Sequence, residues 1–290
     1  MADEPLKQLH TNHPRRWRDF NYVYPVLSRR SGGLSLGINL NVDKVCNWDC
    51  VYCQVDRTVA PSRRDVDLEQ LREELRWAVD WAASGRCWSQ PPFDQTPPEL
   101  RRVNDIAFSG DGEPTTFADF EAACRLAVEA RAASPQTRIV VLSNMTMAHR
   151  DSVRRGFELL DPDRDQIWAK LETGTEAAYK AIDRSAVPFE RVLENLLQIG
   201  RIRPLVIQSL FMKLHGRGPE PAEFEAYLQR LADLREGGCR ISLVQLYTVA
   251  RQTAEPFVGP LSRRELEALR NRAADKLSGL SFEIYPGSEE

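Results

Sequence analysis

The chain has 290 residues, 42% of them hydrophobic, and a formal net charge of −3. That length suffices for one large core, and no stretch approaches the roughly 20 apolar residues of a membrane span. Six cysteines without a secretory leader argue against a disulfide framework and predict a soluble, cytoplasmic protein with reduced thiols.

Residues 1–33 read as a basic N-terminal extension and residues 34–290 as one folded domain. Residues 1–64 carry a charge balance of +4, leaving −7 for the remainder. Arg15, Arg16, Arg18, Arg29, Arg30, Arg57, Arg63 and Arg64 supply the excess, chemistry suited to the phosphates of a nucleic acid or a small anion. Arginine outnumbers lysine 33 to 6 over the whole chain, so compositional bias accounts for the same excess.

Short apolar, β-branched runs then alternate with amphipathic ones, the pattern of βα units around a parallel sheet. Six strands are predicted, at 34–41, 104–109, 138–143, 166–172, 204–211 and 241–248. Helical patterns fall near 66–84, 117–133, 148–160, 175–183, 189–201, 221–236 and 263–277. Asp67 precedes LEQLREEL as a helix cap, and Ser262 with Glu265 forms a capping-box pattern ahead of the last helix. The stretch 85–103 holds four prolines and reads as a rigid surface connection in preference to a lid. Six units are too few for a closed eight-unit barrel, and in an open sheet the chemistry gathers at the carboxyl ends of the strands.

The loop after the first predicted strand reads NLNVDKVCNWDCVYCQVDR and places Cys46, Cys50 and Cys53 at the spacing CxxxCxxC. An iron-sulfur cube normally takes four thiolates, one per iron, so three close cysteines leave one iron open to a non-protein ligand. Three small core residues on one helix face would share the same spacing, although Asn47, Trp48 and Asp49 discourage a uniformly apolar helix. Zinc would need a fourth ligand, and His10, His13, His149 and His215 lie far off in sequence.

With Tyr52 directly before the third cysteine, this loop resembles the radical S-adenosylmethionine (SAM) superfamily. The resemblance implies an open (β/α)6 partial TIM-like barrel with parallel strands, and a [4Fe-4S] cluster held by Cys46, Cys50 and Cys53. SAM would chelate the free iron through its amino and carboxylate groups. It further implies an enzyme that reductively cleaves SAM to methionine and a 5'-deoxyadenosyl radical for hydrogen abstraction. The electron would come from a donor such as a flavodoxin or ferredoxin. In such systems the cofactor carries the radical chemistry and the protein supplies binding and orientation.

After the second predicted strand comes Ser109-Gly110-Asp111-Gly112-Glu113-Pro114-Thr115. Its glycines permit close backbone approach to a ligand, and a strand-end carboxylate accepts hydrogen bonds from an ammonium; a plain turn has the same composition. The segment resembles the superfamily's GGE motif, with Asp111 where the family often has Gly. That resemblance assigns Gly110, Asp111, Gly112 and Glu113 to the SAM amino group, chiefly through backbone carbonyls, with Glu113 bracing the loop. Other strand ends offer Asn144, Glu172 and Gln208 for SAM, with Glu172 as ribose acceptor, and Tyr52 with the backbone near Val249 for adenine. Glu172 has an alternative role, as a partner for Lys170, and Gln208 as a solvated sheet-end residue.

The pieces YVYPVLSRR, SLGINL, FSGDGEPT, LSN and VQLYTVAR, with the cysteine loop, resemble the wyosine-synthetase-like branch over nearly the whole chain. Members of that branch modify a base of tRNA, which makes a nucleoside or RNA the implied substrate. They use a further cluster on N-terminal cysteines, whereas here no cysteine precedes Cys46. Cys124, in FEAACRLAVEA, reads as core. The rival from another class is a non-catalytic iron-sulfur or zinc protein for binding or electron transfer, which would have no need of the GDGEPT loop.

Overall fold

The computed structural model describes residues 17–28, 30–61 and 63–287. Arg15, Arg16 and Arg29 of the basic stretch, and His10 and His13, lie outside them. The chain divides into two compact units: the described residues up to Val45 with Ala60–Leu142 and Arg150–Gln166, and Cys46–Val59 with Ser143–His149 and the described residues from Ile167 onward.

In the first unit β1 (Val23–Ser28) pairs antiparallel with β2 (Gly33–Ile38), which continues in parallel through β3 (Val103–Phe108) to β4 (Arg138–Ser143). Sequence reading missed β1 because Pro25 interrupts it; a proline removes a ladder donor and is tolerated on an edge strand, where β1 lies. Its start is fixed by Glu74, a buried carboxylate on α1 (Leu68–Ala83), which accepts the backbone N–H groups of Asn21, Tyr22 and Val23 at 2.9, 2.8 and 3.0 Å. Asp67 caps α1 by accepting from Glu69 and Gln70, as its sequence predicts. The buried face of α1, with Leu71, Leu75, Ala78, Val79 and Ala82, follows the 3.6-residue period.

The proline-rich 85–103 stretch forms three short 3-10 turns, with Cys87, Phe93 and Thr96 buried and the Phe93 ring edge-on to Trp81 at 5.9 Å. It is a connection fastened to α1. The unit is completed by α2 (Phe120–Arg131), which buries Cys124, and α3 (Asp151–Glu158). A buried Arg131–Asp165 pair at 2.5 Å, whose carboxylate also accepts from Ile139 and Asp161, ties helix to strand.

The second unit is built on parallel strands β5 (Gln166–Lys170), β6 (Leu205–Leu210), β8 (Ile241–Tyr247) and β10 (Phe282–Tyr285), in that order. A small antiparallel pair, β7 (Met212–Leu214) with β9 (Val258–Pro260), stands apart from that ladder. Helices α4 (Glu176–Ile182), α5 (Phe189–Ile202), α6 (Pro221–Glu236) and α7 (Arg263–Lys276) complete it, and Ser262 with Glu265 forms the predicted capping box. The three-residue β7 and β9 and the four-residue β10 are too short for a periodicity signal. All six predicted strands are present, and the mixed α/β, mostly parallel open sheet matches the expected partial barrel. Among the described residues no helix is long and apolar enough to cross a membrane.

Candidate functional site

In the first unit the GDGEPT loop follows β3 and is folded onto the chain leading toward the cysteines. Asn39 donates from Nδ2 to Asp111 Oδ2 at 2.9 Å, and its Oδ1 accepts the backbone N–H groups of Asp111 and Asn41, both at 3.1 Å. This reciprocal bond gives Asp111 a use where the family often has glycine. A Cβ on Gly110 would lie 2.3 Å from Asn39 Oδ1, and one on Gly112 would lie 2.3 Å from the backbone oxygen of Val45, the residue before Cys46. Both positions therefore demand glycine. Glu113 is buried and turns its carboxylate into its own loop, accepting from Thr115 N at 3.1 Å and Thr115 Oγ1 at 2.5 Å.

In the second unit Cys46, Cys50 and Cys53 are thiols outside any disulfide, of intermediate exposure, on one irregular loop. Backbone bonds pin that loop on two sides. Asp49 and Val51 donate to the carbonyls of Asp183 and Ile182 at 3.0 and 2.9 Å, while Cys53 O accepts from Ala254 at 2.7 Å and Val51 O from Glu255 at 3.3 Å. Side chains add further ties. Trp48 Nε1 donates to the Tyr179 hydroxyl at 3.0 Å, Ser185 Oγ donates to the Asn47 carbonyl at 3.1 Å, and the Asn47 side chain bonds Asn144 and Thr146. An Arg57 guanidinium nitrogen lies 3.7 Å from Cys53 Sγ.

Beneath Cys50 lies a buried charge cluster. The Tyr52 hydroxyl lies 2.8 Å from Glu172 Oε1 and 3.3 Å from Asp183 Oδ1 as donor, and accepts from Lys170 Nζ at 2.9 Å; Lys170 also pairs with Glu172 at 3.0 Å. Burial, the largest influence, pulls the Lys170 ammonium toward deprotonation, but the charges of Glu172, Tyr247 and Cys50 and the Glu172 hydrogen bond together outweigh it and hold the group well above the ordinary lysine range. Burial, and then the charge of Glu172, keep Asp183 well above the usual carboxyl range. Burial, followed by Asp183, raises the Cys50 thiol, and burial raises the Tyr52 phenol.

Tyr52, Glu172 and Lys170 are thus brought together as the strand-end positions suggested, with Glu172 indeed paired to Lys170. Glu172 Oε2 is buried and has no hydrogen-bond partner. Gln208 is fully buried, which excludes the solvated sheet-end alternative; its Nε2 donates to Gln245 Oε1 at 2.7 Å, and its Oε1 has no partner. Strand residues alternate faces, and Ser209 Oγ meets the Tyr227 hydroxyl on α6 at 2.6 Å, so Gln208, with its register partners Lys170 and Gln245, occupies the face turned away from that helix. Tyr52 and Val249 belong to one apolar cluster with Val51, Leu210 and Met212. Val249 also borders a cleft of about 660 Å3, with Lys213, Arg251, Thr253 and Leu261 among its walls.

Sequence reasoning missed Asp183, Tyr179, Ser185 and Asn195. Asp183 and Ser185 sit in the IDRSA turn that closes α4, and nothing in its composition separates it from an ordinary helix exit. The donor set suits a thiolate-bound cluster: three reduced thiols on an anchored loop. Among the described residues no three His, Cys, Asp or Glu side chains are placed to hold one metal ion, whereas a four-iron cluster asks for one iron per thiolate.

Comparison with known proteins places these features. The fold resembles that of Streptococcus suis SuiB bound to S-adenosylmethionine, with a TM-score of 0.61 and 14% identity over 89% of this chain and 52% of that one. It also resembles TYW1 with a lysine-pyruvate adduct bound, with a TM-score of 0.54 and 16% identity over 83% of this chain and 73% of that one. Among curated proteins, a GTPase Obg of Brachyspira hyodysenteriae is 22% identical over 84% of this chain and 32% of its own length. The UPF0026 protein MJ1312 of Methanocaldococcus jannaschii is 25% identical over 60% of this chain and 47% of its own length. The chain therefore spans a third to a half of these two curated relatives. The Radical SAM superfamily model matches residues 40–231, a span that takes in the three cysteines, the GDGEPT loop and the residues Tyr52, Lys170, Glu172 and Asp183, and the chain belongs to that superfamily.

Proposed function

We propose that the chain is a radical SAM enzyme in which Cys46, Cys50 and Cys53 hold three irons of a [4Fe-4S] cluster and SAM takes the fourth. The chemistry this pair supplies when bound is one-electron cleavage of the sulfonium to methionine and a 5'-deoxyadenosyl radical. The observation that carries the reading is the anchored loop: three thiols outside any disulfide whose backbone is held at Asp49, Val51 and Cys53.

The residues of the two units divide the work. Tyr52, Glu172, Asp183 and Lys170 fix the underside of the loop near Cys50. Lys170 spends two of its three N–H groups on Tyr52 and Glu172, leaving the third for the SAM carboxylate. The carbonyls of Gly110–Glu113 receive the SAM ammonium, with Glu113 bracing that loop. Glu172 Oε2 and Gln208 Oε1, both without a partner, supply acceptors for the ribose hydroxyls. Tyr52 and Val249 give adenine an apolar bed, and Asn144 acts through Asn47 on the Cys46 limb.

The substrate class we assign is a nucleoside, free or within RNA, and the electron donor a flavodoxin or ferredoxin. Support for the substrate comes from the branch motifs and the basic first 64 residues. Anaerobic reconstitution with iron and sulfide, reduction, and an assay for 5'-deoxyadenosine tests the activity. Transfer of deuterium from a labelled nucleoside into 5'-deoxyadenosine tests the substrate. Formation of 5'-deoxyadenosine without transfer from any nucleoside or RNA tried would reject that class while leaving the activity standing.

A further inference from the structure

Met145 is fully buried and holds φ at +63°, a left-handed conformation that a side chain of its size rarely adopts. Such strain persists where surrounding contacts over-determine it. Here the contacts come from two sides. Met145 N donates to Ser143 Oγ at 3.0 Å, and Asn195 Nδ2, on α5, donates to the carbonyls of Met145 at 2.7 Å and Thr146 at 3.3 Å. Both amide protons of Asn195 are thereby spent on one turn.

The bent turn leads to the cysteine loop. Asn144 Oδ1 accepts from Thr146 N and Oγ1 at 3.1 and 2.6 Å, while its Nδ2 donates to Asn47 Oδ1 at 2.8 Å. Asn47 Nδ2 returns a bond to Thr146 Oγ1 at 2.6 Å. Asn47 follows Cys46 directly. The backbone ties described above reach the loop from Asp49 onward, and this side-chain ring holds the Cys46 limb together with the Ser185 bond to the Asn47 carbonyl. A buried asparagine has no place on an apolar helix face unless its bonds repay desolvation, and Asn195 is 1% exposed.

We propose that Asn195 is a positioning residue for Cys46: it locks the left-handed Met145 turn, which presents Asn144 and Thr146 to Asn47. The inference rests on Cys46 being a cluster ligand, but its first readout does not. Amide hydrogen exchange at Met145 and Thr146 and the rate of iron loss to a chelator are compared across variants of the full reconstituted chain. Asn195→Ala is expected to speed both by about tenfold, the effect of one lost buried hydrogen bond. In a Met145→Gly background, where glycine holds the left-handed angle unaided, the same substitution changes exchange by less than about threefold.

Leu196→Ala, on the same helix and fully buried, controls for general loosening and leaves the Met145 and Thr146 amides as slow as in wild type. Should Asn195→Ala fail to accumulate, Thr146→Val removes the Asn47 acceptor with α5 intact and speeds iron loss alike. Exchange in Asn195→Ala no faster than in Leu196→Ala, or an undiminished effect in the Met145→Gly background, overturns the proposal. A wild type that assembles no cluster would instead reject the cluster reading, and the exchange data would still decide the brace.

Discussion

Lys170→Met separates a buried electrostatic anchor from a surface ornament. The substitution keeps the apolar stem but removes the ammonium, its 3.0 Å pair with Glu172 and its 2.9 Å bond to Tyr52. The Glu172 side chain is 0% exposed and that of Lys170 only 22%, so the carboxylate is left with neither a cation nor water. Removing one partner of a buried pair costs about 3–5 kcal/mol, because the remaining charge stays desolvated. Lys180→Met deletes the same charge from a 3.1 Å pair with Glu176 whose side chains are 64% and 45% exposed, and costs below about 0.5 kcal/mol. Equilibrium urea unfolding followed by near-UV circular dichroism compares the two. Lys170→Met combined with Glu172→Leu should regain at least half the loss, since the stranded Glu172 charge is then gone. A Lys170→Met protein within about 1 kcal/mol of Lys180→Met would refute the anchoring role, whose expected cost is several times larger.

Gly112→Ala pushes a methyl to 2.3 Å from the Val45 carbonyl, and backbone cannot yield as a flexible side chain does; it is expected to cost about 1–3 kcal/mol and to lower iron incorporation. Gly218→Ala, whose methyl meets nothing nearer than 3.7 Å, should leave both unchanged. Asp105 gives a pH signature in the first unit. Burial raises its carboxyl against the opposing Ser35 hydrogen bond, so the folded chain holds this proton more tightly than the unfolded one. Its contribution is therefore fullest in acid and falls as pH rises from the unfolded carboxyl value near ~3.9 through the raised folded one. Wild type should lose stability relative to Asp105→Asn as urea midpoints are taken from acid to neutral pH, and a gap that stays constant or moves the other way counts against the buried carboxyl.

The parallel strands were legible because each buried run carries its own apolar pattern: Gly33–Ile38 is buried at all six positions, and 34–41 announced it. The cysteine spacing and the helix caps at Asp67 and Ser262 are likewise local signals. What escaped depends on distant pairing. Val23–Ser28 becomes a strand because β2 offers it an edge and Glu74 gathers its first amides, 51 to 53 residues away. Asp183 and Asn195 carry no motif; their meaning comes from Tyr52, 131 residues earlier in the chain, and from the Met145 carbonyl. Gln208 read equally well as a solvated strand end until Gln245 appeared beside it in register.

The central claim is that three thiols on this loop serve radical formation, and Cys50 tests it most directly. Wild type and Cys50→Ala are reconstituted anaerobically with iron and sulfide, reduced in the presence of SAM, and assayed for 5'-deoxyadenosine. Wild type is expected to yield 5'-deoxyadenosine and Cys50→Ala none above background. Equal yields from the two proteins, or none from a wild type that has taken up its iron, would contradict it.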